Sequence, residues 1–290
     1  MIIKSIYDNW GSIIETTKEE FFDQDRDFWR NLSYEKKLLV FKKMEFTKEE
    51  YAKFARRFGN LWSREDYKYS RERAEPVFID NQLSFISPFS NLKNKKLSNQ
   101  AMPWHADIPN RSHNPFPFRS LWITKNPNSK YSGHTSWLNL ELAMQHLSDE
   151  EMSFISNSYV VQQSWYEPGT DTKELPMIKE HPVTGAKSLR LNFFNDAEKE
   201  VDNAWITGIR YNGQLQDNCY FIRDLLLKLE KIPGLVYDHI WDTFDIAIYD
   251  NWSFVHKRSH IIANVNDPER HFYRINIDHC TNEEWKSKGS

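Results

Sequence analysis

The apolar positions change rhythm along the chain. Over the first hundred residues they recur at helical spacing with short runs between, and from Pro103 onward they fall mostly into runs of five to eight residues broken by turn residues. Thr17-Lys18-Glu19-Glu20 and Thr47-Lys48-Glu49-Glu50 fit the capping box, in which a hydroxyl and a glutamate satisfy the first free amides of a helix reciprocally. After the second box Tyr51, Phe54, Ala55 and Phe58 keep helical spacing, with Phe46 and Tyr51 placed to staple the start and Gly59 to end it. Short strands are predicted over 37–41 and 76–79. Further strands are predicted over 120–124, 158–164, 188–193, 235–241, 244–249 and 272–277. Two helical regions interrupt them. One begins near Leu138 and continues after a third box, Ser148 to Glu151; the other covers 217–230, with Tyr220, Phe221, Leu225 and Leu229 on one face. Strands continuing for so long with only these insertions imply an α+β chain built on a double-sheet jelly roll with flanking helices.

Composition narrows the class. Of 290 residues 39% are hydrophobic and 15% aromatic, enough for one large core, and no repeat or Pro/Gly/Ser linker divides it. The expectation is therefore a single domain over 1–285 followed by a frayed tail, 286–290. The net charge of -3, with basic residues interspersed among acids, gives no footprint for nucleic acid. The amino terminus reaches Asp8, Asn9 and Trp10 without an apolar run, so the reading is of a soluble cytoplasmic protein without a membrane partner, its oligomeric state left open. Cys219 and Cys280 provide neither a disulfide framework nor a zinc-cysteine spacing.

The chemistry concentrates in Pro103-Trp104-His105-Ala106-Asp107, where His-x-Asp offers an imidazole and a carboxylate to one cation. Such a pair needs a third ligand, and a 2-His-1-carboxylate face leaves positions open on Fe(II). His256 and His260 both follow an apolar strand ending in Asp250-Asn251, and either completes the set on spacing alone. The other histidines, His113, His134, His146, His181, His239, His271 and His279, have no carboxylate at ligand spacing and read as structural. Arg270 and Arg274, four apart on a strand, share one face, and two inward guanidinium groups call for anions such as the carboxylates of a dicarboxylic acid.

These blocks resemble, in order, the taurine dioxygenase and TfdA family of Fe(II)- and 2-oxoglutarate-dependent oxygenases. The similar segments are 38–62 with its Phe-Ala-Arg-Arg-Phe-Gly, Trp104-His105-Ala106-Asp107, Gly133-His134-Thr135-Ser136-Trp137, the His181-Pro182-Val183-Thr184-Gly185 block, and Asp245 through His256 to Arg274. The segment 111–131 is slightly longer than in taurine dioxygenase, His134 stands where an acid is common, and the surroundings of His256 are closer to the clavaminate synthase side of the superfamily. The resemblance implies a double-stranded β-helix (jelly roll, cupin-like). It makes His105, Asp107 and His256 the iron ligands and returns His260 to a structural role. Thr135 and Arg274 would hold the distal carboxylate of 2-oxoglutarate, with Arg270 near its metal-bound end. Asn192, Phe193, Phe194 and Arg258 are the substrate candidates. The implied reaction consumes O2 and 2-oxoglutarate, releases succinate and CO2, and hydroxylates or desaturates a small polar metabolite such as an amino-acid derivative; Asp107 occupies the position a halide would need. The rival reading is a catalytically silent metal- or ligand-binding jelly roll, against which Arg270 and Arg274 count.

Overall fold

In a computed structural model that describes residues 1–63, 74–91, 101–107, 118–126, 133–163, 172–192, 206–216, 220–261 and 269–278, two sheets frame the candidate site. The larger has nine strands among the described residues. Its order runs Ile2–Ser5, Ser12–Glu15, Leu38–Phe41, Ile246–Asp250, Phe118–Lys125, His271–Asp278, Gln82–Ser90, Glu75–Ile79, with Asn60–Leu61 also paired to His271–Asp278. The smaller has four, in the order Val236–His239, Thr135–Asn139, Phe254–Arg258, Met102–His105. A further four-stranded sheet and a two-stranded sheet lie outside this pair.

Period-two alternation explains why the central strands read as continuous apolar runs: both of their faces are covered. Ile246 and Ile248 join Leu39, Phe41, Ile275 and Ile277 in a core shared with Phe21, Trp29 and Phe54 of the helices Lys18–Asp23, Arg26–Lys36 and Lys48–Ala55. Ala247 and Tyr249 face the other way, joining Leu38, Val40 and Ile123 against Trp137 and Phe254 of the smaller sheet. The two sheets thus pack through Trp137 and Tyr249, whose ring centroids are 5.5 Å apart. The outer face of the smaller sheet is covered in turn by Ile222, Leu225 and Leu229 of helix Tyr220–Leu229. This is the expected cupin-like jelly roll with flanking helices.

All three capping boxes form, at Thr17, Thr47 and Ser148. Several predicted boundaries do not hold. Leu138 belongs to strand Thr135–Asn139 and the helix begins at Leu140, because Asn139 caps it and the preceding residues are drawn into the smaller sheet. The helix after Thr47 ends at Ala55, not Gly59. Gly59 instead lets two backbones meet, since a Cβ there would lie 2.6 Å from the Asp278 carbonyl. Phe244 takes a left-handed φ of 71°, so its strand starts at Ile246, and the strand expected over 235–241 shortens to Val236–His239. Strand 188–193 shortens to Lys187–Leu189; Phe193, the start of the helix predicted from 217, and the tail 286–290 lie outside the described residues. Among the described residues no helix is long and apolar enough to cross a membrane.

Candidate metal centre

Strand Met102–His105 runs antiparallel to Phe254–Arg258 with His105 opposite His256. Phe254 points into the core between the sheets and Val255 to the outer one, so alternation sends His256 and Arg258 inward. The imidazole centroids of His105 and His256 are 4.1 Å apart. Asp107 follows one strand period after His105. One ligand atom from each of His105, Asp107 and His256 lies within 4.8 Å of the others, and all three residues are buried.

Two asparagines hold the backbone that carries this pair. Asn251 accepts from the Asp107 amide at 2.9 Å and donates to its carbonyl at 2.7 Å; Asn192 accepts from the Ala106 amide at 3.2 Å and donates to its carbonyl at 3.5 Å. Asn251 sits in a turn organised by Asp250, whose carboxylate accepts from the Trp252 amide at 2.8 Å and from the Ser253 hydroxyl at 2.6 Å.

Each of the three side chains is in the state that a metal would require. His105 Nδ1 lies 2.9 Å from the Pro103 carbonyl, a pure acceptor, so Nδ1 carries the proton and Nε2 keeps its lone pair. Burial holds both imidazoles below their ordinary pKa and therefore neutral. For Asp107 burial is the largest single influence and acts the other way, but the neighbouring positive groups, Arg119 foremost and Arg274 with it, together outweigh it, and the carboxyl stays well below the usual carboxylate range. Arg119 Nη1 is 2.9 Å from Asp107 Oδ2, the Tyr249 hydroxyl donates to the same oxygen at 3.2 Å, and His256 Nε2 is 3.4 Å from it. Two neutral imidazoles and an ionised carboxylate converging on one point suit a divalent first-row metal such as Fe(II).

The remaining predicted residues distribute as follows. His260 is exposed, away from the cluster, and its carbonyl accepts from the Gly133 amide. Thr135 is buried opposite Arg258 in the strand register, and its Oγ1 accepts from Trp241 Nε1 at 2.9 Å. Arg270 Nη1 donates to the Gly133 carbonyl at 2.6 Å, while Arg274 Nη1 is 3.6 Å from Asp107 Oδ1. The contacts thus pair Arg270 with the Gly133 carbonyl and Arg274 with the Asp107 carboxylate. The reason is local: Arg270 precedes strand His271–Asp278 and Arg274 lies inside it, four residues further on. Asn192 bonds the Ala106 backbone, and Phe193 and Phe194 fall outside the described residues.

Two histidines read as lacking carboxylates have them. His181 Nε2 is 3.2 Å from Asp250 Oδ2 and His239 Nε2 is 3.1 Å from Asp245 Oδ2. The first partner is far in sequence and the second lies across a turn, so local spacing does not reveal them. Arg119, Tyr249 and Asn251 went unassigned from sequence. The available signal was alternation, because an arginine in the same phase as Leu121 and Ile123 must face the gap between the sheets.

A profile of the "Taurine catabolism dioxygenase TauD, TfdA family" matches residues 9–276. The crystal structure of a taurine dioxygenase from Burkholderia xenovorans superposes with a TM-score of 0.66 at 19% identity, covering 96% of this chain and 91% of that one. The crystal structure of AAD-2 in complex with Mn(II) and N-oxalylglycine gives 0.67 at 19% identity, covering 97% and 98%. Among curated proteins, 3-((Z)-2-isocyanoethenyl)-1H-indole synthase of Fischerella ambigua (strain UTEX 1903) is 22% identical over 275 residues, 92% of each chain. The structural likenesses speak to the fold, and the profile, spanning nearly the whole chain, settles the kinship: the protein belongs to the TauD/TfdA family of dioxygenases, oxidoreductases that use Fe(II), 2-oxoglutarate and O2.

Proposed function

We propose that the chain holds Fe(II) through His105, Asp107 and His256 and hydroxylates or desaturates a small polar metabolite, with amino-acid derivatives the first class to test. The observation that carries this reading is the convergence of those three ligand atoms within 4.8 Å. When bound, iron and 2-oxoglutarate supply from O2 an oxidant that removes hydrogen from the substrate, with succinate and CO2 released. Asp107 fills the position that a halide would occupy, which favours oxygen insertion or desaturation over chlorination. The ethenyl group in the name of the Fischerella relative is a carbon–carbon double bond, and it supports keeping desaturation in the reading.

Thr135 and Arg270 are assigned to the distal carboxylate of 2-oxoglutarate. Trp241 donates to Thr135 Oγ1, which leaves the hydroxyl proton free to point at a carboxylate. Arg270 is held at its amide by Asn91 Oδ1 at 2.7 Å and at its guanidinium by Gly133, so the fork is placed in advance. Arg274, its guanidinium 4.4 Å over the Phe89 ring, stands nearer the metal and is a candidate for contact with substrate, as is Arg258.

The test is anaerobic titration of the Fe(II) protein with 2-oxoglutarate, following the charge-transfer absorption of the chelated metal, and then succinate release screened across amino acids and their derivatives. His256→Ala should abolish both signals and His260→Ala should spare them. Absence of the absorption band in the unaltered protein would restore the silent-binder reading.

A further inference from the structure

The structure assigns Arg119 a role of its own: we propose that it is the positioning residue of the metal centre, a buried cation that holds the Asp107 carboxylate in the orientation the metal needs. The inference rests on the metal-centre reading above and adds a residue to it. Arg119 is fully buried in the middle of the larger sheet, on strand Phe118–Lys125, cross-strand from Tyr249 on one side and Asn276 on the other. Its strand alternates sharply. Ser120 turns to the helices, where Tyr51 donates to its hydroxyl at 2.8 Å, and Leu121 and Ile123 turn to the gap between the sheets. Arg119 is in phase with Leu121 and Ile123, and its Nη1 comes within 2.9 Å of Asp107 Oδ2.

The metal-ligand carboxylate is therefore gripped at both of its levels. Asn251 fixes its backbone from the turn, and Arg119 and Tyr249, neighbours on adjacent strands, fix Oδ2 from below. A carboxylate held this way has one rotamer available, and the larger sheet, which contributes no ligand of the proposed set, thereby sets the direction of a ligand carried by the smaller one. A neutral side chain at 119 would leave Asp107 buried with its main charge partner gone, free to turn toward Arg274, 3.6 Å from Oδ1.

The experiment is Mn(II) binding to the full chain, read from the electron paramagnetic resonance signal of free hexaaqua Mn(II), with thermal melting to establish folding. Arg119→Gln should weaken Mn(II) affinity by about 10- to 100-fold, the usual effect of losing a group that orients a metal ligand. Arg119→Lys, which keeps a buried cation, should recover most of the loss. In an Asp107→Ala background Arg119→Gln should cause no further weakening, because a residue acting through Asp107 has nothing left to hold. Unaltered affinity in folded Arg119→Gln would overturn the proposal. So would Arg119→Lys binding no better than Arg119→Gln, or a full additional loss on top of Asp107→Ala. Should Arg119→Gln fail to fold, Arg119→Lys and Tyr249→Phe carry the test: near-normal affinity in the first with a several-fold loss in the second supports it, and a severe loss in the first overturns it. If the unaltered protein failed to bind Mn(II), the metal-centre reading itself would fall, an outcome separate from any result at position 119.

Discussion

Gly133 and Arg270 fit each other so closely that a Cβ at position 133 would lie 1.4 Å from Arg270 Nη1. The same nitrogen donates to the Gly133 carbonyl, and Gly133 takes a φ of 66° that other residues rarely adopt. Gly133→Ala must therefore displace the guanidinium. It should lower 2-oxoglutarate affinity by roughly 10- to 100-fold in the anaerobic titration, since small misplacements of a clamp cost that much. Mn(II) affinity should change less than about twofold, and an equal loss in both would show a general collapse of the site instead.

Arg270 and Arg274 should separate under the same titration. A charge-assisted fork contributes about 2–3 kcal/mol, so Arg270→Ala should weaken 2-oxoglutarate binding by roughly 30- to 150-fold. Arg274→Ala should weaken it by less than about fivefold while raising the substrate KM. The opposite ranking would return the distal carboxylate to Arg274.

Asn251→Ala removes both hydrogen bonds that frame Asp107 and leaves the ligand side chains intact. Mn(II) affinity should fall by about 10- to 100-fold. Asn192→Ala, which frees Ala106 and not a ligand, should cost less, and equal effects would mean that the strap responds as one unit.

Lys179 supplies a test of stability against pH. Burial lowers its pKa to about 7, with Arg190 adding to the effect, and its ammonium position is 5.0 Å over the Trp252 ring beside the Asp250 turn. The unfolded chain holds this proton up to its ordinary value of about 10.4, so between pH 7 and that value the unfolded state binds more protons and stability rises with pH. Denaturant unfolding should show a slope of about 1.4 kcal/mol per pH unit from this group, fully lost below pH 7. Lys179→Met should remove that slope relative to the unaltered protein. Parallel curves for the two would place the proton elsewhere.

What could be read from the sequence was whatever its cause lies close by in the chain. The capping boxes at Thr17, Thr47 and Ser148 are satisfied within three residues, and all form. His105 and Asp107 stand together in one motif, whereas the Asp250-Asn251 turn left His256 and His260 as equals and only the family resemblance chose His256, which the structure places beside the other two. Leu138 was misread because a strand buried on both faces carries no apolar-polar alternation of its own. His181, His239 and Arg119 acquire their partners only when distant strands meet, and nothing at local spacing encodes that meeting.

Strand Phe118–Lys125 is hydrogen-bonded on one side to Ile246–Asp250 and on the other to His271–Asp278. Both neighbours come from the last fifty residues of the chain, as does His256. During synthesis the His-x-Asp segment and Arg119 must therefore wait, without their sheet partners, until residues 246–278 are available. Pairings this remote in sequence make slow folding the expectation and keep an apolar central strand exposed meanwhile. The three side chains proposed to hold iron, for the same reason, come together only once those late strands have paired, and a metal bound there would stabilise the folded chain by mass action.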